Sequence, residues 1–169
     1  MKNIKVILFD LDNTLFLNDS SKISKPKLIL EEIKKMGYKT GIVTNSNFDD
    51  AMKKISVLGI SEYMDLLLTP GRFKKKPMRD MFLLATKKFG VNPSEILFVG
   101  DHLINDILGA NFCGMKTVLV KDELRWYHRL LIKFTLVWRF FGPNFLVSDL
   151  KILLRILRSE PSLKQKLYY

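Results

Sequence analysis

At 169 residues, 47% hydrophobic and 27% charged, the chain is of single-domain size, long enough to bury about two-thirds of its unfolded surface and too apolar for the disordered classes. One cysteine, Cys113, excludes an internal disulfide and a cysteine-rich zinc site, and reads as a small helix-packing residue. The formal charge of +11 points to acidic partners without choosing among nucleic acid, anionic lipid and phosphorylated ligands.

The positive charge is uneven, with ten basic and four acidic side chains in residues 121–169. Met1 to Lys5 leads directly into an apolar run with no secretory segment, so a cytoplasmic protein is expected, peripheral at a membrane if the basic region binds lipid. Residues 1–160 read as one domain and 161–169 as a C-terminal tail, with no internal repeat or linker.

Val6-Ile7-Leu8-Phe9 has the continuous apolar character of a buried parallel strand, and it ends in Asp10 and Asp12. Phe16 to Lys25 is polar and turn-rich. Pro26 suits the first position of a helix running to about Met36 and closed by Gly37. Thr40 to Val43 is a second strand, followed by Thr44-Asn45-Ser46-Asn47 and a helix over about 48–58 that Gly59 stops. Tyr63 to Leu68 reads as a third strand. Gly71 to Pro77 is a basic loop, and Pro77 is expected to begin a helix reaching Phe89 and Gly90. Glu95 to Val99 is a fourth strand, leading into Gly100-Asp101-His102-Leu103-Ile104-Asn105-Asp106 and a helix that ends near Gly114. Lys116 to Val120 is a fifth strand and Asn144 to Val147 a short sixth, with Ser148 or Asp149 capping a helix from Leu150 to Arg158. Apolar runs alternating with helix-length segments are the pattern of an α/β fold, a Rossmann-like three-layer sandwich with a mostly parallel central sheet.

In such a sheet ligands gather beyond the carboxyl ends of the strands. Strands one, two and four deliver Asp10 and Asp12, Thr44, and Asp101 with Asp106 to that edge, and a lysine-rich loop at 74–76 lies between the second and fourth. Clustered carboxylates repel unless a cation sits among them. Hard oxygen ligands suit Mg²⁺, and a carboxylate, a metal, a hydroxyl donor and a lysine together describe phosphoryl transfer. Asp and Asn also favour turns and helix caps, so Asp10 to Asn13, taken alone, is equally a turn.

Asp10-Leu11-Asp12-Asn13-Thr14-Leu15 resembles the first motif of the haloacid dehalogenase (HAD) superfamily, Val43-Thr44-Asn45 its second, Lys76-Pro77 its third, and Gly100 to Asp106 its fourth. The resemblance implies a Mg²⁺-dependent phosphatase that hydrolyses a phosphate monoester through an aspartyl-phosphate. It implies Asp10 as nucleophile and metal ligand, and Asp12 as acid and then base, with its backbone carbonyl on the metal. By the same resemblance, Thr44 and the Asn45 backbone N–H would bind phosphate oxygens, and Lys76 would neutralise charge on the transferring group. The resemblance likewise implies that Asp101 would complete the metal shell, and that Asp106 would hold a water beside the metal or orient Lys76. Aspartate at the position of Asp12 favours phosphate chemistry over dehalogenation within the family. Several alternatives stay open: Thr44 as a helix cap, Lys75 as the site lysine, and His102 as a substrate contact or a solvent-facing first-turn residue.

Only 31 residues separate Asp12 from Thr44, and another 31 separate Thr44 from Lys76. One helix and a strand or flap consume each interval, so no cap domain is expected, as in the small capless members, including subclass III phosphatases. The open site would take a phosphorylated substrate, small or macromolecular. Specificity is then expected from the flap at 16–23, the loop at 71–75 and the segment after the fifth strand.

That last segment, 124–141, carries Trp126, Tyr127, Leu130, Leu131, Phe134, Val137, Trp138 and Phe141 on one broad helical face, with Arg125, Arg129, Lys133 and Arg139 opposite. His128 falls within it. Its basic residues argue against a membrane span, leaving a homodimer helix, an anionic membrane-surface helix, or a helix packed on the protein's own core. Nucleic acid is the weaker partner, because no nucleic-acid-binding module accompanies the charge. The competing functions are a phosphotransferase, and an adaptor or membrane-surface protein with a slow or vestigial site.

Overall fold

The computed structural model describes residues 3–17, 25–120 and 142–158. Six strands form one all-parallel sheet in the order β3-β2-β1-β4-β5-β6. They are β1 (Val6–Phe9), β2 (Lys39–Val43), β3 (Leu66–Leu68), β4 (Ile96–Gly100), β5 (Lys116–Val120) and β6 (Phe145–Val147). The helices are α1 (Pro26–Lys35), α2 (Phe48–Leu58), α3 (Asp80–Phe89), α4 (Gly109–Phe112) and α5 (Leu150–Arg158), with a π-helical stretch, Leu103–Leu108, leading into α4.

Alternate strand residues face opposite layers. Ile7, Phe9, Leu97 and Val99 pack with Ile29, Leu30 and Ile33 of α1, Ala51 and Ile55 of α2, and Leu150 and Leu153 of α5. Val6, Leu8, Ile96 and Phe98 pack with Met81, Phe82 and Ala85 of α3, together with Ala110 and Cys113. The three-layer α/β sandwich expected from the sequence is therefore the observed architecture. The Phe82 and Phe98 rings meet edge-on at 5.1 Å. Gly109 lets this layer close, since a Cβ there would lie 2.7 Å from the Phe82 ring.

The chain runs outward from β1 through β2 to β3 on one side, and from β4 through β5 to β6 on the other. β1 and β4 are therefore the topological switch point, where a crevice opens beyond the carboxyl ends. Phe9 pairs with both Ile42 and Val99, so Asp10, Thr44 and Asp101 emerge at nearly one level.

Helices one, two and five and strands five and six agree with the expected spans to within a residue. The third strand is shorter than expected. Tyr63 closes a 3-10 turn (Ser61–Tyr63), and the Asp65 carboxylate accepts the Thr40 N–H at 2.7 Å, so ladder pairing begins only at Leu66. Helix three starts at Asp80 rather than Pro77. The Asn45 side chain bonds both the N–H and the carbonyl of Lys76, at 2.8 and 3.1 Å, which holds the chain out of helical register there. The Lys76–Pro77 peptide is cis. Residues 124–141, the 161–169 tail and most of the 16–23 flap lie outside the described residues.

Candidate active site

Asp10 continues β1 by one residue, its N–H donating to the Val99 carbonyl at 2.9 Å. The chain then turns. Asn13 adopts a left-handed φ of 58°, a conformation asparagine tolerates better than most residues. The N–H groups of Leu15 and Phe16 both return to the Leu11 carbonyl, at 3.0 and 2.8 Å.

Three of the candidate side chains meet in the crevice while almost wholly shielded from water. Lys76 Nζ donates to Asp10 Oδ1 at 2.5 Å and to Asp106 Oδ1 at 2.6 Å, and Asp10, Lys76 and Asp106 are 6%, 4% and 1% exposed. Asp106 Oδ2 accepts the His102 N–H at 3.0 Å. Gly100 makes room for that carboxylate, because a Cβ there would lie 2.5 Å from Asp106 Oδ2. Asp101 is half-buried.

Burial pushes the Asp10 carboxyl up to about 7; the Lys76 ammonium opposes this, while Asp106 and Asp101 add to it. Burial alone would push Lys76 down, but Asp106 and Asp10 outweigh it and hold the ammonium above the usual lysine range. Among the described residues, a cluster of three carboxylates thus holds the Lys76 ammonium, which bridges two of them. Ligand oxygens of Asp10, Asp101 and Asp106 lie within 4.8 Å of one another, and a set of hard oxygen donors in excess of the resident cation fits a divalent ion such as Mg²⁺.

The sequence left two lysines open. Lys75 is exposed, and it is Lys76 that bridges the carboxylates. Thr44 is buried, its Oγ1 accepting the Ser46 N–H at 3.1 Å. The cap of α2 belongs to Asn47, whose side chain accepts the Asp50 N–H at 2.9 Å. His102 is exposed and its Nδ1 accepts the N–H groups of Ile104 and Asn105, at 3.2 and 3.1 Å. It faces solvent at the start of the π-helical stretch, as one of the two readings expected, and in addition caps that stretch.

Asp12 is placed differently from Asp10. Its Oδ2 accepts Ser46 Oγ–H at 2.6 Å and its Oδ1 accepts Lys54 Nζ at 2.6 Å, while Lys54 also reaches Asp50 at 2.6 Å. Neither Ser46 nor Lys54 stood out in the sequence. The Asp50 and Lys54 pair at i, i+4 on α2 was readable; its third member, Asp12, lies 42 residues away in the chain.

The family model for haloacid dehalogenase-like hydrolases matches residues 17–120, a stretch that contains Thr44, Lys76, Asp101 and Asp106. The chain belongs to this family. Among curated relatives, a ribulose-1,5-bisphosphate 5-phosphatase of Halopiger xanaduensis is 36% identical over 105 residues, which are 62% of this chain and 44% of that protein. A glyceraldehyde 3-phosphate phosphatase of Pyrococcus furiosus is 40% identical over 93 residues, 54% of this chain and 39% of the relative. The chain thus spans about two-fifths of the length of these curated relatives. The crystal structure of a HAD phosphatase from Thermococcus onnurineus superposes with a TM-score of 0.68 at 28% identity, covering 82% of this chain and 59% of that one. Among the described residues, no helix is long and apolar enough to cross a membrane.

Proposed function

We propose that the chain is a Mg²⁺-dependent phosphatase that hydrolyses a phosphate monoester through an aspartyl-phosphate on Asp10. The observation that carries this reading is the buried Asp10 carboxylate, gripped by Lys76 inside a cluster of three carboxylates. Mg²⁺ would be held by Asp10, Asp101 and Asp106 with the Asp12 backbone carbonyl, and when bound it supplies Lewis-acid polarisation of the phosphoryl group.

An Asp10 oxygen attacks phosphorus as the bond to the leaving oxygen breaks, and that oxygen takes its proton from the Asp12 carboxyl. The Asp12 carboxylate then removes a proton from water as the water oxygen attacks phosphorus, releasing inorganic phosphate and restoring Asp10. Lys76 stabilises charge on the equatorial oxygens, and Thr44 with the Asn45 backbone N–H orients them. Asp106 supports this by holding Lys76.

The described residues between Asp12 and Thr44 form α1 and β2, and those between Thr44 and Lys76 form α2, a 3-10 turn and β3. These support a capless single core domain over 1–160. The phosphatases named above favour a small phosphorylated sugar or triose as substrate.

The test is hydrolysis of an aryl phosphate by wild type and Asp10→Asn, with and without Mg²⁺. We expect metal-dependent turnover that falls by at least about three orders of magnitude in the variant, with its thermal midpoint nearly intact. Turnover retained by Asp10→Asn sinks the assignment of the nucleophile.

A further inference from the structure

Both oxygens of Asp12 are occupied, and by donors from α2 and the turn that leads into it. Ser46 Oγ and Lys54 Nζ each stand 2.6 Å away. The side chain they hold is not buried: Asp12 is 32% exposed and Lys54 19%. Packing alone leaves such a carboxylate free to rotate about two side-chain bonds. A donor on each oxygen admits one orientation.

The donors are themselves anchored. Asn47 caps the start of α2 and Gly59, with φ 61°, closes its end, so Lys54 rides on a helix held at both termini. Asp50, one turn before it, binds the same ammonium at 2.6 Å, and the Phe16 ring lies 5.7 Å from it. Lys54 is therefore held by a second carboxylate and an aromatic ring as well as by Asp12.

We infer that Lys54, together with Ser46, is the positioning residue of Asp12, aiming the acid/base carboxylate at the leaving oxygen from α2. This rests on the proposed role of Asp12. It matters because proton donation depends on placement to within about an ångström. The signature is a dependence on the leaving group, since a 4-nitrophenolate departs without a proton whereas an alkoxide does not.

The experiment compares kcat/KM of wild type, Lys54→Met and Ser46→Ala on 4-nitrophenyl phosphate and on glycerol phosphate, in saturating Mg²⁺. kcat/KM covers binding and formation of the aspartyl-phosphate, the step in which the leaving oxygen is protonated. We expect each variant to lose at least about ten-fold more on glycerol phosphate than on 4-nitrophenyl phosphate, a fraction of the roughly hundred-fold or greater contribution of general acid catalysis. Lys54→Arg, which keeps a cation in reach, is expected to recover part of that difference. Equal losses on both substrates, or none, overturn the inference and leave Lys54 a structural ion pair. Failure of the underlying reading shows separately, as Mg²⁺-dependent turnover that survives Asp10→Asn.

Discussion

Two lysines meet carboxylates at the same edge of the sheet, and the surroundings give them opposite effects. Lys76 sits between Asp10 and Asp106 with almost no water. There desolvation outweighs attraction, and the Asp10 carboxyl rises to about 7 although an ammonium lies 2.5 Å away. Lys54 sits between Asp12 and Asp50 at a half-open surface, where its hydrogen bond instead holds Asp50 below the usual carboxylate range. The ion-pair distances are nearly the same. The difference lies in how much solvation each pair gives up, so a short lysine–carboxylate distance says little about stability or reactivity until burial is known.

Removing the two lysines tests this contrast most directly. Lys76→Met leaves Asp10 and Asp106 buried without a cation, and is expected to destabilise the metal-free protein by about 3–5 kcal/mol, with Mg²⁺ restoring part of the loss. Lys54→Met is expected to change stability by about 1 kcal/mol or less. Denaturant titration with and without Mg²⁺ measures both, and comparable losses at the two sites break the comparison.

Gly100→Ala sharpens it by crowding only the buried cluster. The added methyl would approach the Asp106 Cγ and Cβ to 2.6 Å, so a loss of about 1–3 kcal/mol is expected, along with weaker Mg²⁺ binding by calorimetry. Unchanged stability and affinity show that the cluster tolerates displacement.

The smallest effect is at Asp65, an outer ion pair with Lys34 at 2.8 Å. Burial pushes its carboxyl up, but Lys34 and the Thr40 N–H prevail and hold it below the usual aspartate value. Its folded pKa is below the unfolded one, so its contribution is present above about pH 4, the unfolded aspartate pKa, and is lost as pH falls through the folded value. With that side chain 37% exposed, solvent screening limits the contribution to about 1 kcal/mol. Asp65→Asn should lower stability at pH 7 by no more than that, and the difference should shrink as pH falls below about 4. A loss that does not shrink with falling pH reveals a role other than the ionised carboxylate.

Much of the α/β architecture was readable because its signals are local. Continuous apolar runs marked the buried strands, and Pro26, Gly59 and Gly90 marked helix ends through their own backbone preferences. The start of α3 was not readable, since it depends on Asn45, 31 residues before Lys76. The ladder start at Leu66 likewise depends on how Asp65 meets Thr40 across the sheet.

At the candidate site, residue types and spacing alone brought Asp10, Asp12, Thr44, Asp101 and Asp106 and the lysine-rich 74–76 loop to one edge, because each follows a strand or its loop and parallel strands end together. The family resemblance favoured Lys76 within that loop. Tertiary structure decided which lysine enters the crevice, that His102 is a cap, that Gly100 yields space to Asp106, and that Ser46 and Lys54 hold Asp12. Those contacts join elements far apart in the chain, where distance and burial exist only after the sheet and its helices have packed.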